Sequence, residues 1–102
     1  MLSQISELNN LIRQEINAYS VLMTERGIHW SMASIERMNN IGSDTTYTYR
    51  LDSEVFFTEG DLEARKVELR MEQSEHKRKQ YERARDRLQT ELSVLNASNK
   101  ST

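Results

Sequence analysis

The sequence predicts an all-α protein, an elongated helical hairpin with a long C-terminal coiled-coil helix. Three observations carry that prediction. The 102 residues contain no Pro and only three Gly, at positions 27, 42 and 60. Apolar residues recur at steps of three and four over long stretches, the period of an amphipathic helix. Above all, Thr58 to Ala97 is forty residues with no internal helix stop. A helix of that length spans roughly 60 Å, whereas a compact chain of this size has a radius of gyration near 13 Å. It has to pack along another long helix, or along a second copy of itself.

The first element reads as a helix over about 3–26. Ile5, Leu8, Ile12, Ile16, Tyr19 and Met23 form its stripe, widened by Leu11 and Leu22. Ser3 is placed to cap it, and Arg26-Gly27 reads as a stop: a cation in the last turn, then a residue tolerant of left-handed φ. A second rhythm follows over about 28–41, with Ile28, Met32, Ile35, Met38 and Ile41. Extending the first stripe meets Gly27 and Trp30 instead, so the phase change predicts a break or sharp bend at Gly27. Continuity through Gly27 would cost only about 1 kcal/mol. Asn39, Asn40, Gly42, Ser43 and Asp44 then end the segment.

Residues 43–57 read as irregular or as a short hairpin. Tyr47, Tyr49 and Leu51 alternate as in a strand, and Asp52-Ser53 can turn the chain into Glu54–Phe57. The alternative is an early helix start, capped by Asp52 or Ser53, that takes in Phe56, Phe57 and Gly60. The long helix is expected over about 58–97, opening on Thr58 and Asp61 as a reduced capping box. In a heptad frame its seam is Ala64, Val67, Met71, Ser74, Arg78, Tyr81, Arg85, Leu88, Leu92 and Leu95, apolar at both ends and polar between. Val55, Leu62, Leu69 and His76 lie seven apart on another face. Residues 98–102 read as a polar tail, and the whole 1–102 as a single helical domain.

Composition bounds the function. Hydrophobic content is 36% and mean hydropathy −0.79, below the roughly 45–50% apolar share of globular chains. Such a chain can cover the faces of long helices but cannot fill a large core. No cysteine is present, which excludes disulfides, thiolate metal sites and cysteine nucleophiles. No apolar run reaches the roughly 18 residues of a membrane span, so no membrane role is expected and the expected location is the cytoplasm. Asn96-Ala97-Ser98 and Asn99-Lys100-Ser101 match the glycosylation sequon; without a secretion signal they read as plain polar tail.

No chemistry-bearing motif stands out. Glu72 and His76 share a helix face at a spacing used by metal sites, but the other histidine, His29, is remote in sequence. No Gly-rich phosphate loop or nucleophile–base pair is present. The expectation is therefore a non-enzymatic protein with no metal, no cofactor and no catalytic residues.

What the sequence offers instead is surfaces. Val67, Met71, Tyr81, Leu88, Leu92 and Leu95 are expected to form an oligomer seam, most simply of a homodimer. Trp30, Val55, Phe56, Phe57, Leu62 and Leu69 are expected to bind a protein partner carrying an amphipathic helix, since aromatic side chains dominate binding hot spots. Lys77, Arg78, Lys79, Arg83, Arg85 and Arg87 form a basic face. Arg78 and Arg85 fall on the seam and are expected to meet acidic groups such as Glu7, Glu15 or Glu36, fixing register.

Net charge is −2, the sum of −4 over residues 1–60 and +2 over 61–102. That balance argues against general nucleic-acid binding by the whole chain. A small dimeric nucleic-acid-binding regulator that uses the basic face is the alternative reading. The order of short helix, irregular middle and long charged helix resembles small helical-hairpin chaperones and assembly adaptors, including those of bacterial secretion systems and phages. The resemblance is one of architecture alone. It implies a self-associating adaptor or chaperone that captures an amphipathic segment of a protein partner.

Overall fold

The computed structural model describes residues 1–42 and 47–100, with the helical backbone alone for 98–100. Helix α1 (Leu2–Asn39) leads through strands β1 (Tyr49–Leu51) and β2 (Glu54–Phe56) to helix α2 (Glu59–Lys100). The fold is the expected helical hairpin, with a two-stranded antiparallel sheet in its middle. The Ser43–Asp44 part of the expected stop, residues 45–46 of the middle segment, and the sequon side chains Ser98, Asn99, Lys100 and Ser101 lie outside the described residues.

Helix α1 is continuous through Gly27, so the break expected there does not occur. Its buried residues explain why. Ile5, Ile12 and Ala33 are buried and fall on one seven-residue repeat, with Tyr19 and Arg26 half-buried between them. Buried Leu22 lies on the matching repeat with half-buried Leu8, Glu15, His29 and Glu36. This strict 3.5-residue period is that of a coiled-coil seam, with polar residues at several of its positions. Of the stripe read from the sequence, Ile5, Leu8, Ile12, Tyr19 and Leu22 lie on this seam, whereas Leu11, Ile16 and Met23 are exposed. The helix opens at Leu2, one residue before the Ser3 expected as its cap, and Ile5 N–H reaches the Met1 carbonyl at 3.0 Å. It ends at Asn39, and in the turn that follows Gly42 takes φ +80°, the left-handed conformation that glycine tolerates.

The chain forms two compact units, residues 1–19 with 73–102 and residues 20–72. In each, the α1 and α2 segments run antiparallel. In the first unit Glu15 meets Ser74 and Asn9 meets Arg85. In the second Glu25 meets Arg70 and Arg37 meets Asp61.

In the second unit the packing is tight around small side chains. Ala33, Ala64, Val67, Met71, Leu22 and Thr58 are buried there. Gly60 lies against α1 so closely that a Cβ on it would stand 2.5 Å from the His29 carbonyl oxygen and 2.7 Å from the Ala33 nitrogen.

The connection is built locally. Strand β1 pairs with β2 through Tyr49–Phe56, Arg50–Val55 and Leu51–Glu54. The two-residue turn Asp52-Ser53 places Asp52 at φ 54°, a region aspartate visits more readily than most residues. The early helix start is thereby excluded: α2 begins at Glu59, with Thr58 as its cap. The Thr58 hydroxyl accepts the Asp61 N–H at 3.1 Å and donates to the Asp61 carboxylate at 2.8 Å. From α1, the Glu36 carboxylate accepts the N–H groups of Glu59 at 3.0 Å and Gly60 at 3.2 Å. Three of the four orphan donors of the α2 N-terminus are thus satisfied, two by a negative charge at the positive end of the helix dipole.

Candidate interaction surfaces

Trp30, Val55, Phe56 and Phe57 come together in the second unit. With Glu54, Asp61, Arg65 and Glu68 they line an open groove of about 430 Å³. Helix α1 supplies Trp30, strand β2 supplies Glu54 to Phe56, and the first turns of α2 supply the charged rim. Trp30 and Phe57 are 44% and 67% exposed, well above the level of core aromatics. The Arg26 guanidinium lies over the Trp30 ring at 4.5 Å, a cation–π contact that fixes the indole. Arg26 Nε is buried without a hydrogen-bond partner.

The rim is acidic in balance. Arg65 Nε donates to Glu54 at 3.1 Å, and its Nη1 lies 3.3 Å from Glu68 and 3.5 Å from Glu72. The hydrogen bond to Glu54 is the chief reason the Arg65 guanidinium is held above its ordinary pKa. Asp61 is engaged by Arg37 at 2.7 Å. With Glu54, Asp61 and Glu68 against Arg65, the lining carries three carboxylates and one cation. Leu62 and Leu69 do not line this groove; both are half-buried on α2.

The second rhythm of α1 forms a second apolar surface. Ile28, Met32 and Ile35 recur at steps of four and three and point to solvent, exposed by 56%, 53% and 58%. Val21, one heptad before Ile28, is 66% exposed, and Met38 and Ile41 are more exposed still. The phase change that suggested a break at Gly27 is therefore a second stripe on one continuous helix. Residues 28 and 30 are roughly 200° apart around a helix, so this stripe and Trp30 occupy different flanks of α1.

The expected oligomer seam is largely used within the chain. Val67 and Met71 are buried against α1 in the second unit, which corrects their assignment to an intermolecular surface. In the first unit Tyr81, Leu88 and Leu92 are half-buried and Leu95 is exposed. Leu88 lines a groove of about 380 Å³ with Leu8, Leu11 and Ala84.

The basic face lies in the same unit and is half neutralised by its own helix. Arg78 pairs with Glu82 at 3.0 Å and Glu75 at 4.0 Å, Lys79 with Glu75 at 3.4 Å, and Arg85 with Asp86 at 3.3 Å. Arg85 also donates to Asn9 Oδ1 at 3.3 Å. The expected pairing of Arg78 and Arg85 with Glu7, Glu15 or Glu36 does not form: Glu15 accepts the Ser74 hydroxyl at 2.7 Å, and Glu36 caps α2. Lys77, Arg83 and Arg87 are exposed.

His76 contacts Gln80 at 3.2 Å, and Glu72 turns to Arg65. Among the described residues no group of three or more His, Asp or Glu is placed to hold a metal ion. No helix among them is long and apolar enough to cross a membrane.

No family model, curated protein or solved structure matches this chain.

Proposed function

We propose that this protein is a non-enzymatic, self-associating adaptor or chaperone that captures an amphipathic segment of a protein partner. The observation that carries the reading is the groove of the second unit, where Trp30, Val55, Phe56 and Phe57 surround about 430 Å³ of open space. Exposed aromatic clusters rimmed by polar groups are the usual form of a protein-docking site. The groove accepts the apolar edge of the captured segment, and the carboxylates of Glu54 and Glu68 favour one that carries Lys or Arg beside its apolar residues. Working through such surfaces, the protein needs no cofactor, and its place of action is the cytoplasm.

Trp30, the only tryptophan, reports on the groove directly. Titration with a helical Leu/Lys peptide is expected to shift Trp30 emission to the blue and to saturate, whereas a Leu/Glu peptide of equal length leaves it unchanged. Phe57→Ser removes an exposed ring without touching the core and is expected to weaken the Leu/Lys response about tenfold, the loss of roughly 1.4 kcal/mol. Equal responses to the two peptides, or an unaltered response in Phe57→Ser, would refute the reading.

The nucleic-acid reading has less support, because Glu75, Glu82 and Asp86 already engage Arg78, Lys79 and Arg85. It would require retention on a polyanion column that falls steeply with salt.

A further inference from the structure

The second apolar stripe is too large and too poor in charge for a solvated helix face. Helix α1 carries seven formal charges in 38 residues, against nineteen in the 42 of α2. Between Ser20 and Ile35 the only ones are Glu25 and Arg26. Both are engaged within the chain, Glu25 with Arg70 at 3.6 Å and Arg26 on the Trp30 ring. Beside the stripe stand the uncharged Thr24 and Ser31. Helix α2 shows what an exposed face of this protein looks like when it meets water, with ladders such as Lys66–Glu63 and Lys79–Glu75. The outer face of α1 has none.

We infer that this face is covered by the same face of a second copy, with the two α1 helices antiparallel about a two-fold axis at Ile28. This specifies the surface used in the self-association proposed above and rests on that part of the reading; segment capture by the Trp30 groove is independent of it.

Three features select a second copy. Val21, Ile28 and Ile35 are spaced seven apart and symmetric about Ile28, so antiparallel pairing sets Ile28 against Ile28 of the partner subunit and Val21 against Ile35 of the partner subunit. A two-fold interface needs this self-complementarity. Met32 then faces the smaller Thr24 of the partner subunit, large against small. Parallel pairing would instead set Met32 against the partner's Met32 and Thr24 against the partner's Thr24, large against large and small against small. A stripe without flanking charges also carries nothing that would select a different chain over itself.

Val21, Ile28, Met32 and Ile35 expose on the order of 100 Å² each, about 800 Å² in a symmetric pair, and the exposed Thr24 and Ser31 beside them bring the contact to the scale of about 1,000 Å² expected of a specific interface.

Light scattering across a concentration series, with Ile28→Glu and single-cysteine variants, tests this. The wild-type chain is expected at twice its mass of 12.0 kDa, and Ile28→Glu at once that mass with unchanged helicity. Because the chain has no cysteine of its own, a short bis-maleimide reports register. Ile28→Cys is expected to cross-link to itself. Val21→Cys is expected to cross-link when mixed with Ile35→Cys, and not alone. A wild-type monomer at every concentration removes self-association altogether. A two-chain mass retained by Ile28→Glu keeps self-association but overturns this surface, and self-cross-linking of Val21→Cys overturns the antiparallel arrangement. None of these outcomes bears on the Trp30 titration.

Discussion

Gly60 and Ala33 are in backbone contact: a Cβ on Gly60 would stand 2.9 Å from the Ala33 Cα and nearer still to the Ala33 nitrogen. Ala33 is fully buried, and Gly60 sits in the first turn of α2. The atoms in the way are main chain, with no flexible side chain to yield. Gly60→Ala is therefore expected to destabilise the fold by roughly 1–3 kcal/mol, despite alanine's better helix propensity. Thermal unfolding checks it, at roughly 4–8 °C per kcal/mol for a domain of this size. An unchanged midpoint would mean the two backbones are not in contact.

Gly27 is the opposite case. It lies inside continuous α1, and a Cβ there meets nothing within 4 Å. Gly27→Ala is expected to stabilise by about 0.5–1 kcal/mol through reduced chain entropy and better propensity. A lowered denaturation midpoint would indicate that the backbone bends at Gly27 after all.

The α2 N-terminus depends on two side chains from opposite sides. Thr58→Ala leaves the Asp61 N–H without its hydroxyl acceptor in a site that is only 1% exposed, and about 1–2 kcal/mol of stability is expected to be lost. Glu36→Ala removes the acceptor of the Glu59 and Gly60 N–H groups, with an expected loss of about 1 kcal/mol. Urea titrations of the single and double variants check both. Losses that add in the double variant would fit two independent caps.

Leu88 was expected on an oligomer seam, and the structure places it beside Leu8 and Leu11 of its own chain. Leu88→Asp should then act on the first unit from within, by putting a charge into half-buried apolar packing. Hydrogen exchange is the measurement. Amides of residues 1–19 and 73–97 are expected to lose protection, while the β-hairpin and the Thr58 cap keep theirs. Wild-type protection throughout, with only a change of mass, would restore Leu88 to an intermolecular role.

Much of the fold was legible in the chain. The α2 heptad frame places Ala64, Val67, Met71 and Ser74 at core positions, and all four are buried. The Thr58–Asp61 spacing marked the helix start, and the turn at Asp52-Ser53 was one of two readings of that dipeptide, the other being the cap of an early helix. In helix α1 the seam was legible as far as Leu22, through Ile5, Leu8, Ile12 and Tyr19. Beyond that the seam is polar at Arg26, His29 and Glu36 while Ile28, Met32 and Ile35 lie on another face, so following the apolar residues reads a change of phase as a break. The aromatic members of the groove were identifiable by type. Leu62 and Leu69 were grouped with them because a seven-residue spacing gives a face, and not which neighbour that face meets. Nothing local marked Glu36 as a cap for α2, since its partners lie 23 and 24 residues further along.

The sequence by itself determined the helical class, the seven-residue period of α2 and the scarcity of charge on α1, because these depend on local propensity and composition. It left the turn at Asp52-Ser53 open against an early helix start and put at Gly27 a break that does not occur. Only the tertiary structure decided what each face meets. Two glycines in helices are alike in sequence, yet Gly27 looks into open space and Gly60 onto the backbone of Ala33. Val67 and Ile28 are alike in hydropathy, yet one is buried and the other exposed. Burial and close approach arise from elements distant in the chain, and no local pattern contains the partner.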